Sequence, residues 1–290
     1  GRTATPREGR PGTQEKVDLL EFPVYKCVDD AEADGHEIIG TRWVDVNKGD
    51  RENMNVRSRL CAFTWKNPRL EDTFAGTPPW EGIKMVLSKA MTKTRGANGG
   101  FKTKKILILD ISRAHFHPPA KRKLFIRLPS EVGGGIALLL RMMYGTRDAA
   151  AGWEEYRQEK LALAGYKAGI SCPCAFTNSD GSSSGVVHGD DFVFEGEEQQ
   201  LDATEAELRK HMLVQRKALL GPDPSDDKHA MILNRLVSYV GDPYGVKSRI
   251  TMEPDPRHAQ ILVHELGLSG QGSKAVSTPT EKGASYYDDT

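Results

Sequence analysis

Residues 186–196 read Val-Val-His-Gly-Asp-Asp-Phe-Val-Phe-Glu-Gly and set two adjacent carboxylates, Asp190 and Asp191, between two short apolar runs. β-branched and aromatic residues favour strands, and Gly189 marks the interruption as a hairpin turn. Adjacent acids at a strand tip serve packing badly, because each charge repels the other and both need solvation. Two arrangements satisfy them: an Asp-containing turn open to water, or a bound divalent cation. What the rest of the chain brings to this hairpin decides between them.

The chain has 290 residues, enough for one large domain or two moderate ones around a real core. A hydrophobic share of 38% against a charged share of 28% suits a water-soluble protein with long polar loops. No apolar run approaches the length that spans a bilayer, and the N-terminus lacks a signal-peptide pattern. The chain begins at Gly1 rather than Met, as a fragment or a segment of a longer chain would. The cysteines Cys27, Cys61, Cys172 and Cys174 form no CxxC pair, and Cys172-Pro173-Cys174 has the wrong spacing for a common zinc site. Reduced cysteines in an intracellular protein are expected.

Forty basic and forty acidic residues cancel, but they are unevenly spread. From Lys84 to Arg127 there are twelve Lys or Arg and a single acid, Asp110; from Asp180 to Glu207 there are nine acids and no Lys or Arg. The asymmetry permits a basic track for a polyanion beside an acidic, metal-collecting pole.

Along the chain, residues 1–20 are rich in Gly, Pro, Arg and Thr, and a flexible segment is expected over 1–37. Ile38–Val46 and Val56–Phe63 read as a long hairpin, with Arg57 and Arg59 projecting from one face. Two guanidiniums so placed suit a phosphate clamp or a solvated strand face. Helical spacing is predicted over Trp80–Met91, Ala149–Ala164 (capped by Gly165), Leu201–Met212 and Pro256–Leu268. In the last of these, Ala259, Leu262, Val263 and Leu266 share one face. Lys104–Ile111 is a buried-type strand that delivers Asp110 at its C-terminal end, a rigid mount for a reactive acid or an ordinary turn Asp. Gly96–Gly100 breaks the first helix, 178–184 is a Ser/Gly/Asp loop, and Met231–Val240 is apolar.

Several stretches, taken in order, resemble the reverse transcriptase domain of copia-type retrotransposon polyproteins. They are Ile39-Gly40-Thr41-Arg42-Trp43-Val44, Arg57-Ser58-Arg59-Leu60, Asp72–Ala75 with Thr77-Pro78-Pro79, and Leu109-Asp110-Ile111 with Ala114. Further on come Met143-Tyr144-Gly145-Thr146-Arg147 with Trp153, Gly189-Asp190-Asp191-Phe192, and Val276-Ser277-Thr278-Pro279. The chain departs from the family pattern at His115, where an aromatic usually blocks a ribose 2′-hydroxyl, at Asp148-Ala149-Ala150, and at His188, where a Tyr is usual.

The resemblance implies an α+β, right-hand polymerase fold with fingers, a palm carrying an antiparallel sheet, and a thumb, over residues 38–268. Residues 269–290 would link to an RNase H region. It implies RNA-directed DNA polymerase activity, with Asp110, Asp190 and Asp191 holding two Mg²⁺ ions roughly 3.5–4 Å apart, Mn²⁺ serving as a substitute. Arg57, Arg59, His115, Tyr144, Gly145 and Arg147 would line the nucleotide site. The implied partners are an RNA template with its DNA primer, dNTPs, and the integrase and RNase H parts of the same polyprotein, with no membrane. The competing readings are a catalytically decayed, nucleic-acid-binding relic of the same domain and an unrelated Mg²⁺-dependent phosphohydrolase.

Overall fold

The structure is a computed structural model, and it describes residues 22–49, 53–63, 76–95, 101–241, 248–270 and 272–274. The first elements are β1 (Tyr25–Val28), β2 (Ile38–Asn47), β3 (Val56–Phe63), α1 (Trp80–Met91), β4 (Thr94–Arg95), β5 (Phe101–Lys102) and β6 (Lys105–Ile111). Next come β7 (Phe125–Arg127), β8 (Ile136–Leu139), α2 (Ala149–Leu163), β9 (Tyr166–Ala168), β10 (Ala175–Asn178), β11 (Ser184–His188) and β12 (Asp191–Gly196). The described chain closes with α3 (Glu198–Arg209), β13 (Val214–Leu220), β14 (His229–Ile232), β15 (Arg235–Val240), β16 (Arg249–Pro254) and α4 (Pro256–Glu265).

A six-stranded antiparallel sheet, ordered β13-β6-β12-β11-β10-β9, forms the centre. Side chains alternate across a strand, so β6 serves two cores at once. Leu107, Leu109 and Ile111 join Phe192, Phe194, Trp153 and Leu161 of α2, and Leu201 and Leu208 of α3. Ile106 and Ile108 face the other way, with Val186, Val193 and the α1 residues Ile83, Val86 and Leu87. Burial on both faces explains why the strand reads as an uninterrupted apolar run.

A second sheet, ordered β1-β8-β7-β2-β3, carries the long hairpin, with β2 and β7 running parallel and the other pairs antiparallel. Its core joins Ile39, Leu60, Ala62, Phe116, Ile126 and Met143. A three-stranded sheet, β14-β15-β16, precedes α4. Among the described residues no helix is long and apolar enough to cross a membrane.

Several expectations need correction. The flexible segment does not extend to residue 37: β1 pairs with β8 across Tyr25↔Leu139 to Val28↔Ile136, and Val24 is fully buried. The helix expected over Leu201–Met212 spans Glu198–Arg209, because Lys210 and His211 close it through bonds to Glu207 and Leu208 carbonyls. Glu198 then sits in its first turn, where a negative charge suits the helix dipole. The apolar stretch 231–240 is broken by a turn at Leu233 and Asn234, both with positive φ, and forms the β14–β15 hairpin. The shared apolar face of α4 is exposed, Leu262 at 62% and Leu266 at 69%.

The basic and acidic blocks meet each other within the fold. Antiparallel pairing of β12 with β6 sets Gly196 opposite Lys105, so the start of the base-rich strand meets the acid-rich segment. Lys104 and Lys89 pair with the fully buried Glu195, and Lys105 with Glu198, Asp223 and Asp226. Lys121 and Arg122 bind Glu155 and Asp148. Glu205, Asp202 and Glu207 are engaged by Arg209, Arg216 and Lys210. Much of each charge block therefore neutralises the fold itself. The segments 1–21, 72–75, 96–100 and 276–279, singled out above, lie outside the described residues.

Candidate acidic site at the sheet end

Gly189 and Asp190 form the turn between β11 and β12, with Gly189 at φ +65, a conformation glycine reaches without cost. The turn is tied down twice from outside its own hairpin. The Ile111 amide donates to the Asp190 carbonyl at 2.9 Å, and Trp153 Nε1–H donates to the Gly189 carbonyl at 2.9 Å. Asp191 then begins β12 directly opposite Asp110 on β6. Alternation places both on the face that carries Ile108 and Val193, the α1 side.

Three carboxylates thus meet where one strand ends and the hairpin turns. Asp190 is exposed, while Asp110 and Asp191 are half-buried. The Asp191 carboxyl is pushed up to about 6 by burial first, then by the charges of Asp190 and Asp110, with His188 and Lys217 opposing. Lys217 Nζ stands 3.8 Å from Asp110 Oδ1. Among the described residues no group of three or more His, Cys, Asp or Glu side chains is arranged to hold a metal ion. The donor set nonetheless fits a hard divalent cation: all three groups are carboxylates, and their mutual repulsion is the penalty that a cation removes.

The residues expected around a nucleotide fall on the neighbouring sheet and the turn before α2. On β3, Ser58, Leu60 and Ala62 are buried, while Arg57 is exposed and Arg59 half-buried on the opposite side. The Ala62 amide donates to the Tyr144 carbonyl at 2.8 Å, which docks the turn onto β3. Gly145, at φ +86, passes so close that a Cβ there would lie 1.8 Å from the Ala62 carbonyl oxygen. The Tyr144 ring receives the Arg59 guanidinium at 5.5 Å and the His115 ring at 4.9 Å. Arg59 Nε and His115 Nδ1 are both buried without a hydrogen-bond partner among the described residues. Burial pulls the His115 imidazole below its usual range; Arg59 adds to this and Asp190 opposes it. His115 therefore lies within the electrostatic reach of both the acids and the arginine hairpin. Arg147 is half-buried, and nothing in the geometry draws Arg57 to the acids.

A set of supports behind the acids was not read from the sequence. His117 is buried between Phe22, Trp153 and Tyr156, with ring centroids 5.2, 6.2 and 6.3 Å away. Its Nε2 lies 3.0 Å from the Ser112 carbonyl, two residues past Asp110, and burial lowers its pKa to about 4. Arg113, next along, holds φ +56, an uncommon conformation for a residue with a Cβ. Trp153 and His117 together brace the turn of the hairpin and the end of β6. The signal available was an indole on the apolar face of a predicted helix, which reads as core until its N–H partner is known.

No family model and no curated protein matches the chain. Among solved structures it is similar to a foamy viral protease-reverse transcriptase determined in complex with double-stranded DNA, at 14% identity and a TM-score of 0.44. The match covers 81% of this chain but 36% of the viral one, so the chain spans about a third of that protein's length.

Proposed function

We propose that the chain is an RNA-directed DNA polymerase of the copia type, extending a primer 3′-hydroxyl with dNTPs on an RNA template. The observation that supports it is the register of Asp191 against Asp110, with Asp190 in the adjoining turn. In this reading the five-stranded sheet with the arginine hairpin is the fingers. The six-stranded sheet is the palm, and the three-stranded sheet with α4 is the thumb.

Asp110, Asp190 and Asp191 would hold two Mg²⁺ ions, with Mn²⁺ as a substitute. When bound, such a pair lowers the pKa of an attacking hydroxyl and neutralises charge on the phosphates. The chain's own groups do the rest. Arg57 and Arg59 offer guanidinium donors to a triphosphate. Tyr144 gives a flat apolar surface beside them, and Gly145 lets the turn approach β3 closely. His115, neutral at pH 7, and Arg147 complete the nucleotide rim. Bases of the 84–127 stretch would contact duplex phosphates. The template–primer duplex, dNTPs and the integrase and RNase H parts of a polyprotein are the partners of this reading, and its place is intracellular, in a cytoplasmic particle or the nucleus.

A second reading, a nucleic-acid-binding relic without turnover, is favoured by the departures from the family pattern at His115 and at Asp148-Ala149-Ala150, after the Gly145 turn. Primer extension on poly(rA)/oligo(dT) with Mg²⁺ separates the two, comparing the wild type with Asp190→Asn. Extension by the wild type alone supports the polymerase. No extension with duplex binding intact leaves the relic, and equal extension by the variant overturns the residue assignment.

A further inference from the structure

Lys217 occupies the irregular point of the ladder beside Asp110. β13 pairs with β6 from Val214↔Ile111 to Leu220↔Ile106, and the register slips between Arg216 and Ala218. Lys217 is the extra residue at that slip. A bulge of this kind bends its strand and re-aims the side chain it carries. Gln215 faces Asp110 directly across the ladder, and Lys217 Nζ donates to Gln215 Oε1 at 3.1 Å. The amide thus steers the ammonium to its place 3.8 Å from Asp110 Oδ1. The preceding cation on the strand is committed elsewhere: Arg216 reaches over to Asp202 and Glu205 of α3. The ammonium also offsets the charges that crowd Asp191, as His188 does from its position opposite that residue.

We propose that Lys217 is a built-in counter-cation of the acidic site, which holds Asp110 while no divalent ion is bound and withdraws when one binds. The inference rests on the divalent-cation reading of the three acids given above. The physical reason is competition: an ammonium beside Asp110 satisfies one carboxylate and repels an arriving dication. A lysine suits this role better than an arginine fork, because it is a point charge on a flexible stem, and half of its side chain is exposed. Withdrawal into water therefore costs little. The consequence is a site tuned to weaker metal binding than its acids alone would give.

The test is a calorimetric titration of Mn²⁺ alone into the metal-free chain, for the wild type, Lys217→Gln, Lys217→Arg and Asp110→Asn. Lys217→Gln is expected to bind Mn²⁺ about fivefold more tightly, the factor that an exposed ion pair of about 1 kcal/mol converts to. Lys217→Arg, which keeps the charge, stays near the wild type, and Asp110→Asn loses the binding. The melting midpoint of metal-free Lys217→Gln falls below that of the wild type and recovers with Mn²⁺. Equal or weaker Mn²⁺ binding by Lys217→Gln overturns the inference and leaves the cation reading standing. Unchanged Mn²⁺ binding with weaker duplex binding overturns it too and assigns Lys217 to a phosphate. If neither the wild type nor Lys217→Gln takes up Mn²⁺, the cation reading falls and this inference with it.

Discussion

Asp191 lies directly across the antiparallel ladder from Asp110, with both side chains on the α1 face of the six-stranded sheet. Two like charges in that position destabilise the metal-free fold, and this gives the acids a signature that is readable without any assay of turnover.

The Asp191 carboxyl is raised from 3.8 to about 6 in the folded chain. The folded state therefore holds this proton more tightly than the unfolded state does. Its stabilising effect is full below about pH 4 and is lost as pH rises through 6. Asp191→Asn removes the charge, and urea denaturation without divalent ions should find the variant more stable at pH 7 by roughly 1–2 kcal/mol. A variant less stable than the wild type at that pH would contradict the electrostatic account.

His117 titrates with the opposite sign. Its folded pKa is lowered from 6.5 to about 4, chiefly by burial. The stability it contributes is present above pH 6.5 and drains away as pH falls toward 4. Acid denaturation of His117→Gln should lack this loss, up to about 3 kcal/mol across that window. Parallel acid curves for the two proteins would show that His117 is not held neutral.

Trp153→Phe keeps the apolar packing and deletes one donor, the Nε1–H to the Gly189 carbonyl. Because Gly189 is exposed, water can replace that donor, and the stability cost should stay near 1 kcal/mol. Primer extension should suffer more, about tenfold or beyond, since the bond locates the turn that carries Asp190. Equal small losses in both measurements would leave Trp153 a packing residue.

Gly145→Ala sets a Cβ against the Ala62 carbonyl in a left-handed backbone conformation. Chemical denaturation should show a loss of about 3 kcal/mol or more, from strain and a displaced turn together. A loss below about 1 kcal/mol would mean that β3 and the turn separate readily.

Glu195 is fully buried and binds Lys104 at 2.8 Å. Glu195→Gln leaves that lysine, itself 8% exposed, without its charge partner, at an expected cost of about 3 kcal/mol. Thermal melts at neutral pH would register it, and an unchanged midpoint would show that Lys89 or solvent already compensates.

Where a signal was local, it could be read directly. The spacing of Ile83, Val86, Leu87 and Ala90 places α1 at its observed bounds, and Gly165 stops α2 where a C-cap should. The runs flanking Gly189 become paired strands for the same reason, because alternation and turn chemistry act over a few residues. What tied Asp110 to Asp190 was the family resemblance and the order of its motifs, because the apolar strand by itself does not say which strand lies beside it. By contrast, β13 went unread, since Val214-Gln215-Arg216-Lys217 alternates poorly and a bulge breaks its period.

What the sequence by itself determined is therefore the hairpin, the acid-tipped strand and the helices that cover them, all products of short-range propensity and periodicity. Only the tertiary structure decided the charge pattern and the surroundings of the acids. It brought Lys104 to Glu195 and Lys217 beside Asp110, residues 91 and 107 positions apart. Those partnerships arise from how distant strands register against one another. No local pattern carries that information, because register is set by the whole set of faces that must be buried at once.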